Sequence, residues 1–231
     1  MKNVKLMKYP KTFHLPWSKG IQSDDKVLHD LSCFVGQEIV VLEKLDGENT
    51  NLYRNYSHAR SLDSVSNHTR SWVSGMHSAI SHMIPDNIHL SGENLWGQHS
   101  IRYEDDTLDG YFYLFAVWEH FFHSNDVMSL SYDDLIDYSI KLDLPTPKLL
   151  YRGVFDEKAL NNIANDIDTN VCEGYVIRLA SSFNRDDMKQ SVAKFVREGH
   201  VQPNADHWLK NVKQNGKLKS PCKPAFMNKN K

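Results

Sequence analysis

The stretch EIVVLEKLDGEN, residues 38–49, carries the strongest local signal in the chain. Residues 39–42 form a continuous, β-branched apolar run, which is typical of a buried strand. The aspartate and glycine at 46 and 47 then indicate a turn. Lys44 therefore stands at the end of a strand, where a charged side chain is held rigidly at the rim of a pocket. A lysine in that place is either a solvated charge or a nucleophile.

The chain on either side alternates further strand, turn and helix signals. Apolar alternation and β-prone composition predict strands, at residues 37–44, 50–54, 88–97, 111–119, 174–180 and 191–197. Helical periodicity predicts helices, at residues 69–84, 131–144, 156–167 and 204–212, with a weaker one at 24–35. Ser131 is the expected N-cap of the second of these helices. The middle of the chain is therefore rich in strands.

The composition indicates a soluble globular chain. At 231 residues and 40% hydrophobic, it can bury a sizeable core without disulfides or metals. Lys+Arg 27 against Asp+Glu 29 gives no global basic signature of nucleic-acid binding. The three cysteines lie far apart, which fits a reducing compartment. With no apolar block typical of a signal peptide or membrane span, we expect a cytoplasmic protein.

Charged residues recur at the ends of successive predicted strands. They are Lys44, Arg60, Glu93, Glu173 and Lys194. Side chains at neighbouring strand ends can converge on one pocket. Two lysines, an arginine and two glutamates suit a phosphate-bearing ligand with a divalent metal.

The order of short motifs resembles that of the covalent nucleotidyltransferases, the superfamily of ATP-dependent polynucleotide ligases and mRNA capping enzymes. KLDG at 44–47 matches the superfamily's nucleophile motif of lysine, any residue, aspartate and glycine. The other five motifs follow in order: HARS at 58–61, SGEN at 91–94, YLFAVWE at 113–119, EGYVIR at 173–178 and VAKFVR at 192–197. Asn49 and the run PKLLYRGVF resemble the phage-type RNA ligase branch.

The resemblance implies an α/β (α+β) fold, with twisted antiparallel sheets flanked by helices and a nucleotide pocket between two sheets. It implies one adenylyltransferase domain over residues 1–204 and a short basic helix and tail over 205–231. Many relatives add an oligonucleotide-binding barrel after the last motif. We expect no such C-terminal barrel, because 34 residues after Arg197 are too few to form one.

The resemblance also implies an ATP-dependent RNA ligase. Lys44 would attack the α-phosphorus of ATP and carry AMP, which then passes to a 5′-phosphate end that a 3′-hydroxyl seals. The catalytic residues would be Lys44, Asp46, Glu173 and Lys194, and Glu173 and Asp46 would contact Mg²⁺ or Mn²⁺. The nucleotide would be bound by Glu43, Lys44, Asn49, Arg60, Glu93, Phe115, Glu173, Lys194 and Arg197. A nearby cation such as Lys194 would favour the neutral, nucleophilic form of Lys44.

Several roles have two interpretations. Asp46 either shapes the turn before Gly47 or meets a metal-bound water, and Arg60 either forms a structural ion pair or contacts the ligand. Phe115 either packs in the core or stacks on the base, since strand alternation turns either residues 114 and 116 or residues 113 and 115 to the pocket. Where relatives hold a second lysine in the last motif, Val196 stands here and Arg197 follows.

Two other functions compete with RNA ligation. They are a minimal ATP-dependent DNA ligase and an inactive nucleotide- or RNA-binding module. The seven lysines between residues 210 and 231 form either a solvated tail or a contact to phosphates. The expected partner is RNA or nicked nucleic acid with 5′-phosphate and 3′-hydroxyl ends, with no membrane involved, and a separate nucleic-acid-binding or end-healing protein could assist.

Overall fold

Two β-sheets form the body of the protein. The structure, a computed structural model, describes residues 4–63, 68–168, 170–199 and 212–219. The predicted helix at 204–212 lies almost wholly outside these residues. Within them, the predicted class is confirmed, because two mainly antiparallel sheets pack with a few helices around a shared core.

The first sheet carries the stretch that opened the sequence analysis. Its strands are β1 (Phe13–His14), β2 (Glu38–Lys44), β8 (Leu149–Val154), β9 (Gly174–Leu179) and β11 (Val192–Val196). They lie in the order β1-β11-β9-β2-β8, with β1 parallel to β11 and the other pairs antiparallel. Because β2 pairs with β9 on one side and β8 on the other, it is a central strand.

After the turn at 45–47 the chain enters the second sheet. Its strands are β3 (Glu48–Tyr53), β4 (Tyr56–Ala59), β5 (Ile88–Asn94), β6 (Phe112–His120), β7 (Val127–Ser129) and β10 (Phe183–Asn184). They lie in the order β10-β7-β6-β5-β3-β4, and every pair is antiparallel.

The helices cover the sheets largely where the sequence predicts them. They are α1 (Ser71–Ile80), α2 (Tyr132–Leu142), α3 (Glu157–Asp166) and α4 (Met188–Ser191). Ser131 caps α2 as expected, and its side chain forms a reciprocal capping box with Asp134. The four-residue helix α4 was not predicted, since a single turn leaves little periodicity to detect.

The predicted helix at 24–35 is wrong. Only a short 3-10 turn forms there, at Ser32–Phe34. The backbone upstream of it pairs with β1 instead, because His14 N–H donates to the carbonyl of Lys26 and Leu28 N–H donates to the carbonyl of His14. Non-local pairing therefore overrides the weak helical periodicity of this segment.

The apolar run of β2 is buried on both faces. Val40 and Leu42 point into a core shared with the second sheet, α1 and α2. Ile39 and Val41 point to the opposite face, where α3 packs through Leu160. The continuous rather than alternating hydrophobicity of residues 39–42 follows from this double burial. No helix among the described residues has the length and apolar character to cross a membrane.

Candidate active site

A cavity of about 760 Å³ opens between the two sheets. Its volume lies within the range of small-molecule sites. Nine of the residues predicted for the site line it: Glu43, Lys44, Asp46, Asn49, Arg60, Glu93, Phe115, Glu173 and Lys194. Residues 150 positions apart in sequence thus meet at one place, as their positions at strand ends predicted.

Lys44 and Glu173 form the centre of the cavity. Lys44 ends β2 and stands opposite Gly174 in β9, so the register of the two strands brings Glu173 beside it. Lys44 Nζ donates a 2.5 Å hydrogen bond to Glu173 Oε2. The two side chains are 23% and 3% exposed, so this is a largely buried ion pair. Pairing makes the burial of both charges tolerable.

The electrostatics of Lys44 differ from the sequence-based expectation. Burial by itself lowers the pKa of Lys44, but the carboxylates of Glu173 and Glu93 outweigh it and raise the pKa above the ordinary value. Lys194 behaves in the opposite way, because burial and then the neighbouring Lys44 ammonium lower its pKa. Lys44 is therefore held as an ammonium in this ion pair, so nucleophilic attack requires the pair to weaken.

Glu93 connects the second sheet to the turn after Lys44. Its Oε1 accepts a 3.1 Å hydrogen bond from Gly47 N–H. Burial raises the pKa of Glu93 to about 8; Lys44 opposes this effect and Glu173 adds to it. The Lys44 ammonium and the Gly47 N–H thus partly offset the cost of burying this carboxyl group.

Asp46 is tied to the loop at residues 99–103. Its Oδ2 accepts 2.7 Å hydrogen bonds from Ser100 Oγ and Ile101 N–H. Its own backbone N–H donates to the hydroxyl of Tyr103 at 2.9 Å. Asp46 is 5% exposed. Of the two roles that the sequence left open, this geometry favours shaping the turn.

A β-bulge decides which aromatic side chain faces the cavity. Ser91 pairs with Ala116 but Gly92 pairs with Leu114, so Phe115 is an extra residue in β6. Phe115 and Ala116 consequently both line the cavity, while Leu114 joins the core. Regular alternation, on which both sequence-based options rested, does not hold here. Phe115 also packs edge-on against Tyr9, with ring centroids 5.2 Å apart.

Arg197 is the predicted site residue that the structure does not bring to the cavity. Val196 lines the cavity instead, at the end of β11. Arg197 follows, with its backbone N–H bonded to the Glu173 carbonyl. Val196 stands where relatives of the superfamily hold a second lysine. Arg197, the next residue, does not bring its positive charge to the cavity in place of that lysine.

The N-terminal segment, residues 9–28, supplies a wall of the cavity that the sequence did not reveal. His14 stands beside Lys194 in the register of β1 and β11. His14 Nε2 lies 3.1 Å from Asp25 Oδ2, and Asp25 Oδ1 lies 3.9 Å from Lys194 Nζ. Burial and then Lys194 lower the pKa of His14 to about 4. Asp25 is therefore an acidic neighbour of the motif lysine.

The carboxylates of the cavity suit a metal cation that is bound partly by the protein and partly by the phosphates of a substrate. Among the described residues, no three His, Cys, Asp or Glu side chains are grouped closely enough to hold a metal ion by themselves. Mg²⁺ needs no such protein cage, because it commonly binds one or two carboxylates together with substrate phosphates and water. Glu173, nearly buried at the cavity wall, fits that pattern.

Residues 37–196 match the family model described as RNA ligase. The chain belongs to the RNA ligase family. The matched range contains Lys44, Glu93, Glu173 and Lys194 but not the N-terminal segment. No curated protein matches the chain.

Solved RNA ligase structures share the fold at low sequence identity. An archaeal ATP-dependent RNA ligase is 14% identical, with a TM-score of 0.56, over 83% of this chain and 48% of that one. A Naegleria gruberi RNA ligase with pyrophosphate is 15% identical, with a TM-score of 0.51, over 91% of this chain and 61% of that one. A mutant of the same ligase with ATP and manganese is 14% identical, with a TM-score of 0.52, over 90% and 60%. This chain thus spans about half to three-fifths of these proteins.

Proposed function

We propose that the chain is an ATP-dependent RNA ligase whose Lys44 carries AMP as a covalent intermediate. The observation that supports it most is the Lys44–Glu173 pair at the centre of a nucleotide-sized cavity that Lys194 and Glu93 also line. The family match gives this geometry its chemical context. The archaeal relative is described as ATP-dependent, which supports ATP as the nucleotide.

In the first step, the neutral amine of Lys44 attacks the α-phosphorus of ATP. A phosphorus–nitrogen bond forms, the bond to the β-phosphate oxygen breaks and pyrophosphate leaves. The Lys44 ammonium, which donates to Glu173 Oε2, must first lose one proton, and the attacking amine loses a second proton to water as the phosphorus–nitrogen bond forms. Lys194 and Arg60 face the same cavity and stabilise the negative charge on the phosphate oxygens.

The remaining residues bind and orient the nucleotide. Phe115 stacks on the base, from the bulge that turns it toward the cavity. Glu93 bonds the ribose hydroxyls, and Glu43 and Asn49 line the cavity on either side of the Lys44 turn. Asp46 holds that turn through Ser100 and Ile101.

Glu173 is the residue that would hold Mg²⁺ or Mn²⁺ together with the phosphates of ATP. The structure of a Naegleria gruberi RNA ligase mutant with ATP and manganese supports the use of a divalent cation with the nucleotide. When bound, the cation would neutralise charge on the phosphates. A Glu173 carboxylate that binds the cation would attract the Lys44 proton less strongly. The pKa of Lys44 would therefore fall toward the range in which the amine is neutral and nucleophilic.

The later steps use the same cavity. AMP moves from Lys44 to the 5′-phosphate of a nucleic-acid end, and a 3′-hydroxyl then displaces it and seals the strand. The family match supports RNA as the substrate.

Sealing of paired nicked duplexes tests the proposal. Purified protein with ATP and Mg²⁺ is incubated with an RNA nick and with a DNA nick of the same sequence, and the sealed strand is measured on a denaturing gel. We expect RNA to be sealed and Lys44→Ala to seal neither. Lys158→Ala, a change to an exposed lysine on α3, serves as the matched control and should retain activity.

Two outcomes would contradict the proposal in different ways. Preferential sealing of the DNA nick would assign the chain to the DNA ligases. Binding of both duplexes without sealing or covalent AMP, by protein that mass spectrometry shows to be free of AMP beforehand, would favour an inactive binding module.

A further inference from the structure

Residues 212–219 pack along the loop at residues 95–111. We refer to these as the C-terminal segment and the clamped loop. Five backbone hydrogen bonds of 2.8–3.0 Å join them: Gln98 to Lys213, Asn215 to Trp96, Gly216 to Tyr103, Asp106 to Lys217 and Lys219 to Leu108, each donor first. A segment held in this way is part of the domain, although the sequence suggested either a solvated tail or a phosphate contact.

Asn215 is the most deeply held side chain of the C-terminal segment. It is 4% exposed. Its Oδ1 accepts a 3.1 Å hydrogen bond from Tyr103 N–H, and its Nδ2 donates to the carbonyls of Leu95 and Gly97 at 2.8 and 3.2 Å. One amide therefore joins the two arms of the clamped loop, and its carbonyl and both N–H groups are used.

The clamped loop in turn holds the residue two positions after Lys44. Tyr103 accepts from the backbone N–H of Asp46 through its hydroxyl, and Ile101 donates to the Asp46 carboxylate. Leu45 packs into the same small core as Leu95 and Ile101. The contacts run continuously from Asn215 through Tyr103 to the turn that carries Lys44.

We propose that Asn215 is a positioning residue, which fixes the Lys44 turn by bracing the clamped loop. The proposal rests on the proposed function, because it assigns a role in forming the lysine–AMP bond. Asn215 contacts neither the nucleotide nor Lys44. Its effect is on the orientation of the amine, and a small misplacement of a reacting group costs about 100-fold in rate.

The test compares Asn215→Ala with the wild-type chain in single-turnover formation of covalent AMP. We expect a rate loss of about 10- to 100-fold at saturating ATP. The apparent affinity for ATP should change less than about twofold, because Phe115 binds the base from β6, which Asn215 does not contact. Lys213→Ala alters an exposed side chain of the same segment and should leave the rate unchanged.

A double-mutant cycle separates positioning from general destabilisation. Tyr103→Phe removes the hydroxyl that holds Asp46, so it breaks the same path one step closer to Lys44. If Asn215 acts through Tyr103, the added effect of Asn215→Ala in the Tyr103→Phe background should be clearly smaller than in the wild type. Fully additive losses would overturn the proposal.

Hydrogen exchange gives a readout that does not depend on catalysis. In Asn215→Ala, the amides of Asp46 and Ile101 should exchange faster, while those of β9 stay protected. Unchanged exchange at Asp46 and Ile101, or a rate loss that only follows the unfolded fraction, would contradict the role of Asn215. Faster exchange in a chain whose wild type never acquires AMP would instead count against the proposed function.

Discussion

Two kinds of segment build and support the cavity, and they differ in how the sequence encodes them. The motif strands β2, β5 and β11 carry Lys44, Glu93 and Lys194, and Glu173 directly precedes β9, all within short, recognisable stretches. The flanking segments, residues 9–28 and 212–219, contribute Asp25 and Asn215 through contacts with distant residues. In the proposed function the motif strands supply the reacting groups, and we propose that the flanking segments fix where those groups point.

Among single substitutions, Gly174→Ala within the motif strands should have the largest effect on stability. Gly174 has φ +154°, and an added Cβ would overlap the carbonyl of Phe195 in β11. Relief of the overlap requires β9 and β11 to separate beside Glu173. We expect a loss of about 3 kcal/mol in the free energy of unfolding, measured by urea denaturation. An unchanged midpoint would show that the pairing of β9 with β11 is looser than described.

A smaller effect should follow from Gly216→Ala, within the C-terminal segment. Its Cβ would overlap the backbone of Glu104 and Asp105, so the segment should detach from the clamped loop while the sheets stay intact. We expect a loss of about 1–2 kcal/mol in the free energy of unfolding and slower AMP transfer to Lys44.

Gly75→Ala is the matched control for both glycine changes. Gly75 is exposed within α1, and its Cβ would meet no atom within 4 Å. Because alanine favours a helix, this change should stabilise the protein by about 0.5–1 kcal/mol. If Gly216→Ala, like Gly75→Ala, lowered the free energy of unfolding by nothing measurable, close packing of the C-terminal segment would be contradicted.

Acid should destabilise both the N-terminal segment and the second sheet through buried histidines. Burial lowers the pKa of His14 and of His120 to about 4, and it lowers the pKa of His89 further. Histidine in the unfolded chain has a pKa of about 6.5, so below that pH the unfolded state binds more protons. Stability should therefore fall as the pH drops from about 6.5 toward 4.

Urea unfolding across this pH range measures the effect. Each buried histidine should contribute about 1.4 kcal/mol per pH unit. His120→Gln should remove one such contribution from the slope, whereas a change at the exposed His29 should leave the slope as it is. Equal slopes for the wild type and His120→Gln between pH 6.5 and 5 would contradict the burial of this ring.

The smallest effect should come from Asp25→Asn in the N-terminal segment. Asp25 lies 3.9 Å from Lys194, so its attraction orients the lysine only weakly. We expect AMP transfer to slow about two- to fivefold, equivalent to about 0.4–1 kcal/mol. Asp30→Asn changes an exposed aspartate just after the N-terminal segment and should leave the rate of AMP transfer unchanged. Equal rates for the two variants would remove Asp25 from the site.

The sequence predicted the motif strands well because their signals are local. The apolar run at 39–42 identifies a strand buried on both faces, and the DG turn places Lys44 at its end. Convergence of the charged residues followed from their positions at strand ends. The five charged residues at strand ends could therefore be predicted from local signals, whereas the class of fold and the places of Glu43, Asp46, Asn49 and Phe115 followed from the resemblance to the covalent nucleotidyltransferases.

The features that the sequence did not predict depend on partners far along the chain. Phe115 faces the cavity because of a bulge, and the bulge is set by the pairing of β6 with β5. Asn215 bonds to residues 112–120 positions away, and the 24–35 segment pairs with β1 rather than with itself. Helical or strand periodicity carries no information about such contacts.

Mapping the covalent AMP to a single lysine tests the central claim most directly. The protein is incubated with ATP and Mg²⁺, digested and sequenced by tandem mass spectrometry. Lys194 is the sharpest alternative, because its pKa is lowered whereas that of Lys44 is raised in the cavity. The account predicts AMP on Lys44 alone. AMP on Lys194, or persistent AMP in Lys44→Ala, would contradict it.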